Sequence, residues 1–259
     1  MIKYILSAAL LCVTLSYGSF EAVNINPNSV RIGNIAGFKK GDVLVPYLTG
    51  SARAVSAAYF VPFELSELSM QQVSYTGSLG KTLFMLAGKT FGNEDYRETS
   101  AVVSVMAYSK EGLGIFPSIK YYGLKNVLGS KTSFGADLNA FYDITGNFRS
   151  VVSILNIYAH ETDNIDIPMT MLVSFGYRTA ENFNIFTGVE KDSTNPAIFK
   201  TGIEYEPFDY FSVSAGYNFD PQLITSGFSI EYSGLNFSYG MSYHFDLAYS
   251  HSFGLVYEF

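Results

Sequence analysis

The side chains best suited to proton transfer in this 259-residue chain are its three histidines, His160, His244 and His251. A hydrolase built on one of them would need a serine within hydrogen-bonding reach of the imidazole. Ser250 and Ser252 flank His251, but neighbours along a strand point to opposite faces, so neither reaches the ring. An inward-facing His244 would share its face with serines of adjacent strands, although a serine-rich chain produces such proximity by chance. We predict that the protein is not an enzyme.

Carboxylates are concentrated at Glu161, Asp163 and Asp166, in one polar stretch. Such oxygens are the ligands that calcium prefers. The stretch lacks the spacing and the glycine of an established calcium loop, so we predict a solvated loop, with no metal and no cofactor.

A third set of candidates is charged, and each member lies on the polar side of an alternating segment. The set is Arg178, Glu190, Lys200, Glu204, Glu206, Glu231, His244 and Glu258. Buried charges need partners, so Lys200 is expected to pair with Glu204 or Glu206. These residues either form a polar lining that sets selectivity or a network that only fills an interior.

Strands whose residues alternate between two faces position these side chains, and the last strand shows the alternation most clearly. Every second residue is bulky and apolar apart from His251, and the residues between them are small or polar. The bulky set is Leu247, Tyr249, Phe253, Leu255, Tyr257 and Phe259, against Ala248, Ser250, Ser252, Gly254 and Glu258. This alternation fits a strand of about ten residues with one face toward lipid and the other toward a lumen. Tyr257 and Phe259 predict an insertion signal for the machinery that assembles outer-membrane barrels.

The same alternation extends back through the chain and predicts about 14 strands, an even number as bacterial barrels require. The predicted strands are 53–63, 69–77, 81–91, 98–109, 112–124, 131–143, 147–159, 168–179, 182–191, 197–207, 211–219, 224–232, 235–245 and 247–259. Connections at the Phe259 end are tight, and most at the other end are longer and more polar, which is the asymmetry of periplasmic turns and outer loops. A soluble β-sandwich is the main alternative, and it predicts no closure of an even number of strands.

Composition agrees with an exported membrane protein. Residues 1–18 have a basic start, an apolar core and small residues before the predicted cleavage point, which indicates a signal peptide. The one cysteine, Cys12, lies within it, so the mature chain has no thiol for disulfides or zinc. The net charge is −7 and no basic stripe follows the chain, so nucleic acid is not a predicted partner. We predict location in the bacterial outer membrane, in contact with its lipid.

The remaining residues, 19–52, would make the strand number odd if they added a strand to the barrel of residues 53–259. We therefore predict that they form a plug in the lumen or a periplasmic segment. Three stretches are apolar on both faces of their predicted strands, namely Thr82–Ala87, Ala101–Ala107 and Val151–Ile157. Their inward faces would pack against that plug or against an apolar ligand, unless they only reflect strand propensity.

Short motifs in residues 80–259 resemble the PorV/PorQ family, which belongs with fourteen-stranded barrels of the long-chain fatty-acid transporter (FadL) type. They are Gly202-Ile-Glu-Tyr-Glu-Pro207, Ala215-Gly-Tyr217, Leu223-Ile-Thr-Ser-Gly227, Leu235-Asn-Phe-Ser-Tyr239 and His251 followed by Phe253 and Phe259, with Gly135-Ala-Asp137, Leu155-Asn156 and Ile167-Pro168 upstream. The resemblance implies a barrel that works through exported proteins or secretion components in type IX-like secretion. The alternative that it implies is a FadL-like passage for hydrophobic small molecules.

Overall fold

The computed structural model describes residue 20 and residues 25–45, 53–80, 82–159 and 167–259, and the statements below concern these ranges. The predicted signal peptide and the acidic stretch Glu161–Asp166 lie outside the described residues, as does His160. The described ranges contain no helix that is long and apolar enough to cross a membrane.

Fifteen antiparallel strands form a single sheet within these ranges. They are β1 Ala54–Val61, β2 Met70–Leu79, β3 Thr82–Gly92, β4 Tyr96–Val105, β5 Tyr108–Lys110, β6 Leu113–Asn126, β7 Gly129–Thr145, β8 Phe148–Ala159, β9 Thr170–Ala180, β10 Phe183–Asp192, β11 Ile198–Phe208, β12 Phe211–Phe219, β13 Gln222–Tyr232, β14 Leu235–His244 and β15 Ala248–Glu258. β4 and β5 flank a break at Met106 and Ala107 and both pair with β6, so they make one strand of the wall. β1 pairs with β15, which closes the sheet.

The closed wall therefore has 14 strands, and the predicted all-β, antiparallel barrel is confirmed. A soluble sandwich is excluded because its sheets do not close in this way. The rim of the barrel at which the chain reaches Phe259 is here called the Phe259 rim. Its turns are short because their residues suit tight hairpin turns. Between β13 and β14, Ser233 and Gly234 both have positive φ, 50° and 80°, as a two-residue hairpin turn of the primed type requires.

Alternation along each strand separates an apolar outer surface from a more polar inner one. On β15 the side chains of Tyr249, Phe253 and Leu255 are exposed on the outside, whereas Ser250 and Ser252 are buried inside. A closed wall leaves no unpaired strand edge, and lipid covers the apolar outer band. The molecule is an outer-membrane β-barrel, as predicted.

Residues 25–45, here called the inner segment, pack within this wall and are almost entirely buried. The segment contains one short helix, α1 (Pro27–Val30), whose amino terminus is capped by the side chain of Asn26. Its second half contributes apolar residues to a cluster with the inward faces of β6 to β9. The cluster comprises Ala36, Leu44, Val45, Phe116, Phe141, Val151, Leu155 and Leu172. At Val151 and Leu155, the inward apolar faces noted in the sequence thus pack against the chain itself.

A buried charge cluster and a cavity inside the barrel

Glu204 on β11 is the centre of the charged contacts between the inner segment and the wall. Its side chain is 1% exposed and its Oε2 lies 2.5 Å from Nη2 of Arg31. The ammonium of Lys39 forms a second ion pair with Oε1. Asn184 on β10 donates from Nδ2 to the same Oε1 at 3.3 Å. Two cations of the segment therefore meet one buried carboxylate of the wall.

Hydroxyl groups of the wall complete the binding of the Arg31 guanidinium. Nη1 donates to Ser214 Oγ at 2.7 Å and to Ser212 Oγ at 2.9 Å, both on β12. Nη2 donates to Ser229 Oγ on β13 at 3.3 Å. The planar guanidinium thus reaches three adjacent strands at once, which fixes the segment against the wall.

Lys40 forms a second, more solvent-exposed set of ion pairs near the Phe259 rim. Its ammonium lies 2.6 Å from Glu231 Oε1 and 3.1 Å from Glu258 Oε2. Partial burial opposes charging of this ammonium, but the two carboxylates outweigh it and raise the pKa of Lys40. At Lys39 the balance is reversed, because burial lowers the pKa more than Glu204 raises it. The surroundings of Lys40 therefore favour its charged form, whereas the charged form of Lys39 is stabilised chiefly by Glu204.

The predicted pairing of Lys200 with Glu204 or Glu206 is wrong. Lys200 lies 2.5 Å from Glu190 Oε2 on the neighbouring strand and also donates to the carbonyl of Asn34 at 3.2 Å. The reason is geometric, because residues four apart on one strand are separated by about 13 Å. The cations that reach Glu204 come instead from the inner segment.

The other predicted lining residues lie on the inner face but do not form one site. Glu206 accepts from Asn184 Nδ2 at 3.2 Å, and Arg178 is exposed, with Nε 3.4 Å from Asn184 Oδ1. His244 lies at the opposite rim, where its Nδ1 accepts from the Asp246 amide at 3.1 Å. Its ring meets Phe63 edge-on, with centroids 6.2 Å apart. Neither contact is the serine arrangement that a hydrolase needs.

His251 faces outward from β15, on the lipid side of the wall. Its Nδ1 lies 2.8 Å from the hydroxyl of Tyr239, which supplies the polar partner that lipid cannot. The flanking serines point the other way, since Ser252 donates to the Ile25 carbonyl and Ser250 accepts from the Phe63 amide. His251 is a satisfied polar residue of the outer surface.

A cavity of about 70 Å³ lies where the inner segment leaves space beside the early strands. Its wall is part apolar, from Val43, Ala87, Val102 and Leu155, and part polar, from Lys89 and Lys120 among others. Lys120 pairs with Asp137 Oδ2 at 2.7 Å, so its charge is balanced at the cavity edge. The mixture suits a small, largely apolar molecule with one polar end.

A β-bulge shapes one side of this cavity. The register between β7 and β8 shifts between Ala136 and Leu138, and Asn156 has a φ of 57°. The bulge turns Asn156 inward, where it accepts from the Tyr122 hydroxyl and donates to the Pro168 carbonyl at 2.9 Å. Strict alternation places Asn156 on the lipid face, so the sequence pattern alone cannot find it.

Sequence reasoning also missed Arg31, Lys39 and Lys40 as site residues. One signal for them was present, because the inward faces of the late strands carry more carboxylates than cations. Buried carboxylates require cations from elsewhere, and Lys39-Lys40 is a cationic pair in the unassigned stretch.

The chain ends where the barrel closes. The Phe259 amide donates to the Arg53 carbonyl at 3.1 Å, and the Phe259 ring stacks on Tyr257 with centroids 5.8 Å apart. Both rings are exposed on the outer surface. Their role as an insertion signal remains a prediction.

We expect Phe259→Ala to reduce the amount of assembled barrel without altering the barrel that does assemble. The aromatic ring makes no buried contact, so its loss should act on insertion rather than on stability. The measurement is the heat-modifiable band in isolated outer membranes, with Phe245→Ala, an exposed aromatic between β14 and β15, as the matched control. Equal assembly of the two variants would contradict an insertion role.

The closed 14-strand wall is a fold that solved outer-membrane channels share. No family model and no curated protein matches the sequence. The fold is similar to that of the CymD monoaromatic hydrocarbon channel, with a TM-score of 0.63, 11% identity, and coverage of 93% of this chain and 99% of that one. The Pseudomonas putida toluene transporter TodX has a TM-score of 0.61 and 9% identity, with coverage of 89% of this chain and 96% of that one. A TodX deltaS2S3 mutant has a TM-score of 0.67 and 10% identity, with coverage of 92% of this chain and 98% of that one.

At these identities the likeness concerns the fold alone. It confirms the FadL-like part of the expected resemblance, namely a 14-strand barrel. The narrower PorV/PorQ resemblance, and with it a role in secretion, is not supported by these neighbours.

Proposed function

We propose that this protein is an outer-membrane channel for hydrophobic small molecules. The observation that carries the proposal is the cavity between the inner segment and the early strands, within a barrel whose structural neighbours are a hydrocarbon channel and a toluene transporter. The inner segment packs against β11 to β15 and against β6 to β9, and the cavity is the space that it leaves beside the inward faces of β3, β4, β6 and β8, in which a solute can be held.

Two of the described outer loops favour a channel over a docking protein. The connection between β3 and β4 spans only residues 93–95, and that between β6 and β7 only residues 127–128. Such loops offer little surface to an exported protein, because stable protein interfaces bury roughly 800 Å² on each partner. The cavity instead is lined by apolar side chains with a few polar groups, as binding sites for small ligands are.

The cavity wall offers a paired test of this function. Ala87 on β3 faces the cavity, whereas Ala101 on β4 faces lipid. We expect Ala87→Phe to abolish most of the uptake because a benzyl group would occupy the cavity, and Ala101→Phe to leave uptake unchanged. The measurement is uptake of radiolabelled toluene by host cells that lack their own hydrocarbon channel.

The two variants add the same ring and differ only in the face of the wall that carries it. Their toluene uptake rates can be compared directly when both give the same amount of heat-modifiable barrel. If wild-type protein gives no uptake above the empty host, the channel proposal for toluene-like solutes fails. If Ala87→Phe transports as well as Ala101→Phe, the cavity is not on the path.

A further inference from the structure

Gln72 on β2 is a buried polar side chain that faces the cavity. It is 3% exposed and belongs to the cavity lining. Among the described residues, its side-chain amide has no hydrogen-bond partner. Its neighbour Gln71 is exposed on the outer face of the same strand, as alternation requires. Buried polar groups are hydrogen-bonded in folded proteins with few exceptions, and an exception on a cavity wall points to a bound molecule.

Ser100 on β4 offers a second such group. It lines the same cavity, and its hydroxyl also has no partner among the described residues. Gln72 is directly opposite Lys89 on β3, and Lys89 is directly opposite Ser100. The three residues form one row across neighbouring strands, here called the polar row. The polar row borders a space of about 70 Å³, so a bound molecule can reach it.

The charged groups of this part of the wall already have partners. Lys89 has a partner of its own within the chain. Lys120, which also lines the cavity, lies 2.7 Å from Asp137 Oδ2. The groups that remain for a ligand are the amide of Gln72 and the hydroxyl of Ser100, and both are uncharged. A neutral ligand suits them better than an ion does, because a buried ion needs an opposite charge.

The next inward residues of β3 and β4 toward the Phe259 rim are apolar. They are Ala87 and Val102, which are directly opposite each other and both line the cavity. Val43 of the inner segment and Leu155 on β8 add further aliphatic surface to the lining. A molecule in the cavity therefore meets hydrogen-bonding groups at one end and aliphatic groups at the other, which fixes its orientation.

A hydroxyl group is the ligand group that matches the polar row. An amide has two N–H donors and a carbonyl acceptor, and a serine hydroxyl both donates and accepts. A solute hydroxyl can therefore donate to Gln72 Oε1 and accept from the Ser100 hydroxyl. A hydrocarbon of the same size leaves both groups without a partner, and a site built to hydrogen-bond a hydroxyl discriminates against such an analogue.

We propose that the cavity binds a small apolar molecule that carries one neutral hydroxyl group. The hydroxyl lies at the polar row, with Gln72 and Ser100 as its partners, and the apolar body lies against Ala87 and Val102. Passage of such a molecule through the barrel rests on the proposed function, which this inference narrows from hydrophobic solutes in general to hydroxylated ones. Binding in the cavity is tested without passage.

Phenol and toluene are the probes, because they have nearly the same size and differ by a hydroxyl in place of a methyl group. Equilibrium dialysis of each radiolabelled compound against purified barrels in nanodiscs measures its affinity, with empty nanodiscs as the blank. Gln72→Leu replaces the amide by an apolar side chain of similar size. Gln71→Leu is the matched control, since it makes the same change on the outer face of the same strand.

We expect Gln72→Leu to weaken phenol binding about tenfold and to leave toluene binding unchanged or tighter, because only phenol loses a hydrogen bond. Ser100→Ala should weaken phenol binding by a smaller factor, and Gln71→Leu should leave both affinities unchanged. Phenol binding that is absent in the wild type, or equal in Gln72→Leu and Gln71→Leu barrels of wild-type heat-modifiability, would overturn the proposal. Tighter binding of benzoate than of phenol by the wild type would also overturn it, because the site would then select an anion.

Failure of this site and failure of the channel give different results. A barrel with the expected Gln72-dependent phenol binding that takes up neither toluene nor phenol loses only the channel function. A barrel that takes up toluene but shows no Gln72-dependent phenol binding keeps the channel function and loses only the hydroxyl site.

Discussion

Replacing Glu204 by glutamine is expected to release the inner segment from the wall while the 14-strand barrel stays closed. The substitution keeps the shape of the side chain but leaves Arg31 and Lys39 facing each other without their shared anion. Removing one partner of a buried ion pair costs about 3–5 kcal/mol. The wall itself does not depend on this contact, since its strands are joined by backbone hydrogen bonds on both sides of β11.

Trypsin reports this release, because Arg31 is 2% exposed in the packed segment and should become a cleavage site when the segment detaches. Heat-modifiable migration in the same samples shows whether the barrel persists. Glu231→Gln is the matched control, since Glu231 is 41% exposed and its partner Lys40 is more exposed than Arg31 and Lys39 are. Exposed pairs contribute about 0–1 kcal/mol, so this variant should resist trypsin as the wild type does. Equal resistance of both variants would show that the charge cluster does not hold the segment.

The wall could be predicted from the sequence because its signals are local. Strand periodicity and the tight turns at one rim depend on residues that are neighbours in the chain, such as Ser233 and Gly234. Thirteen of the predicted strands have one counterpart each and the fourteenth matches β4 with β5, with ends that agree to within a few residues. Closure then follows, since a lipid-exposed sheet cannot leave an edge unpaired.

The interior could not be predicted in the same way. Arg31 and Glu204 are separated by 173 residues in the chain, and no periodicity links them. The sequence indicated that the inward carboxylates need partners, but strand alternation offered only Arg178 and Lys200, of which Arg178 contacts Asn184 and Lys200 pairs with Glu190. The bulge at Asn156 likewise reverses the face on which alternation places that residue. Non-local contacts and register shifts are the two kinds of information that a single sequence lacks.

Two glycines of the wall show how closely the inner segment approaches it. A Cβ atom at Gly216 would lie 2.2 Å from the Gly33 nitrogen, and one at Gly202 would lie 2.2 Å from the Ile32 oxygen. Backbone atoms cannot yield as a flexible side chain can. The Gly33 amide also donates to Thr225 Oγ1 at 2.9 Å, which only this close approach allows. The absence of a side chain at Gly202 is thus a requirement of the segment. At Gly216 the segment makes the shortest contact, and Thr225 Oγ1 on β13 would also lie 2.7 Å from the added Cβ.

We therefore expect Gly216→Ala to displace the inner segment at a cost of roughly 1–3 kcal/mol, because overpacking at a rigid contact cannot be relieved locally. The wall should keep or gain stability, since alanine restricts the unfolded chain more than glycine does. Gly88→Ala on β3 is the matched control, because the nearest atom to its added Cβ is the Ser100 oxygen at 3.9 Å. Increased cleavage after Arg31 in Gly216→Ala, with the thermal midpoint of the barrel unchanged or raised, is the expected result. If Gly216→Ala resists trypsin as fully as Gly88→Ala does, the segment has room to shift, and the close approach at Gly33 does not govern its packing.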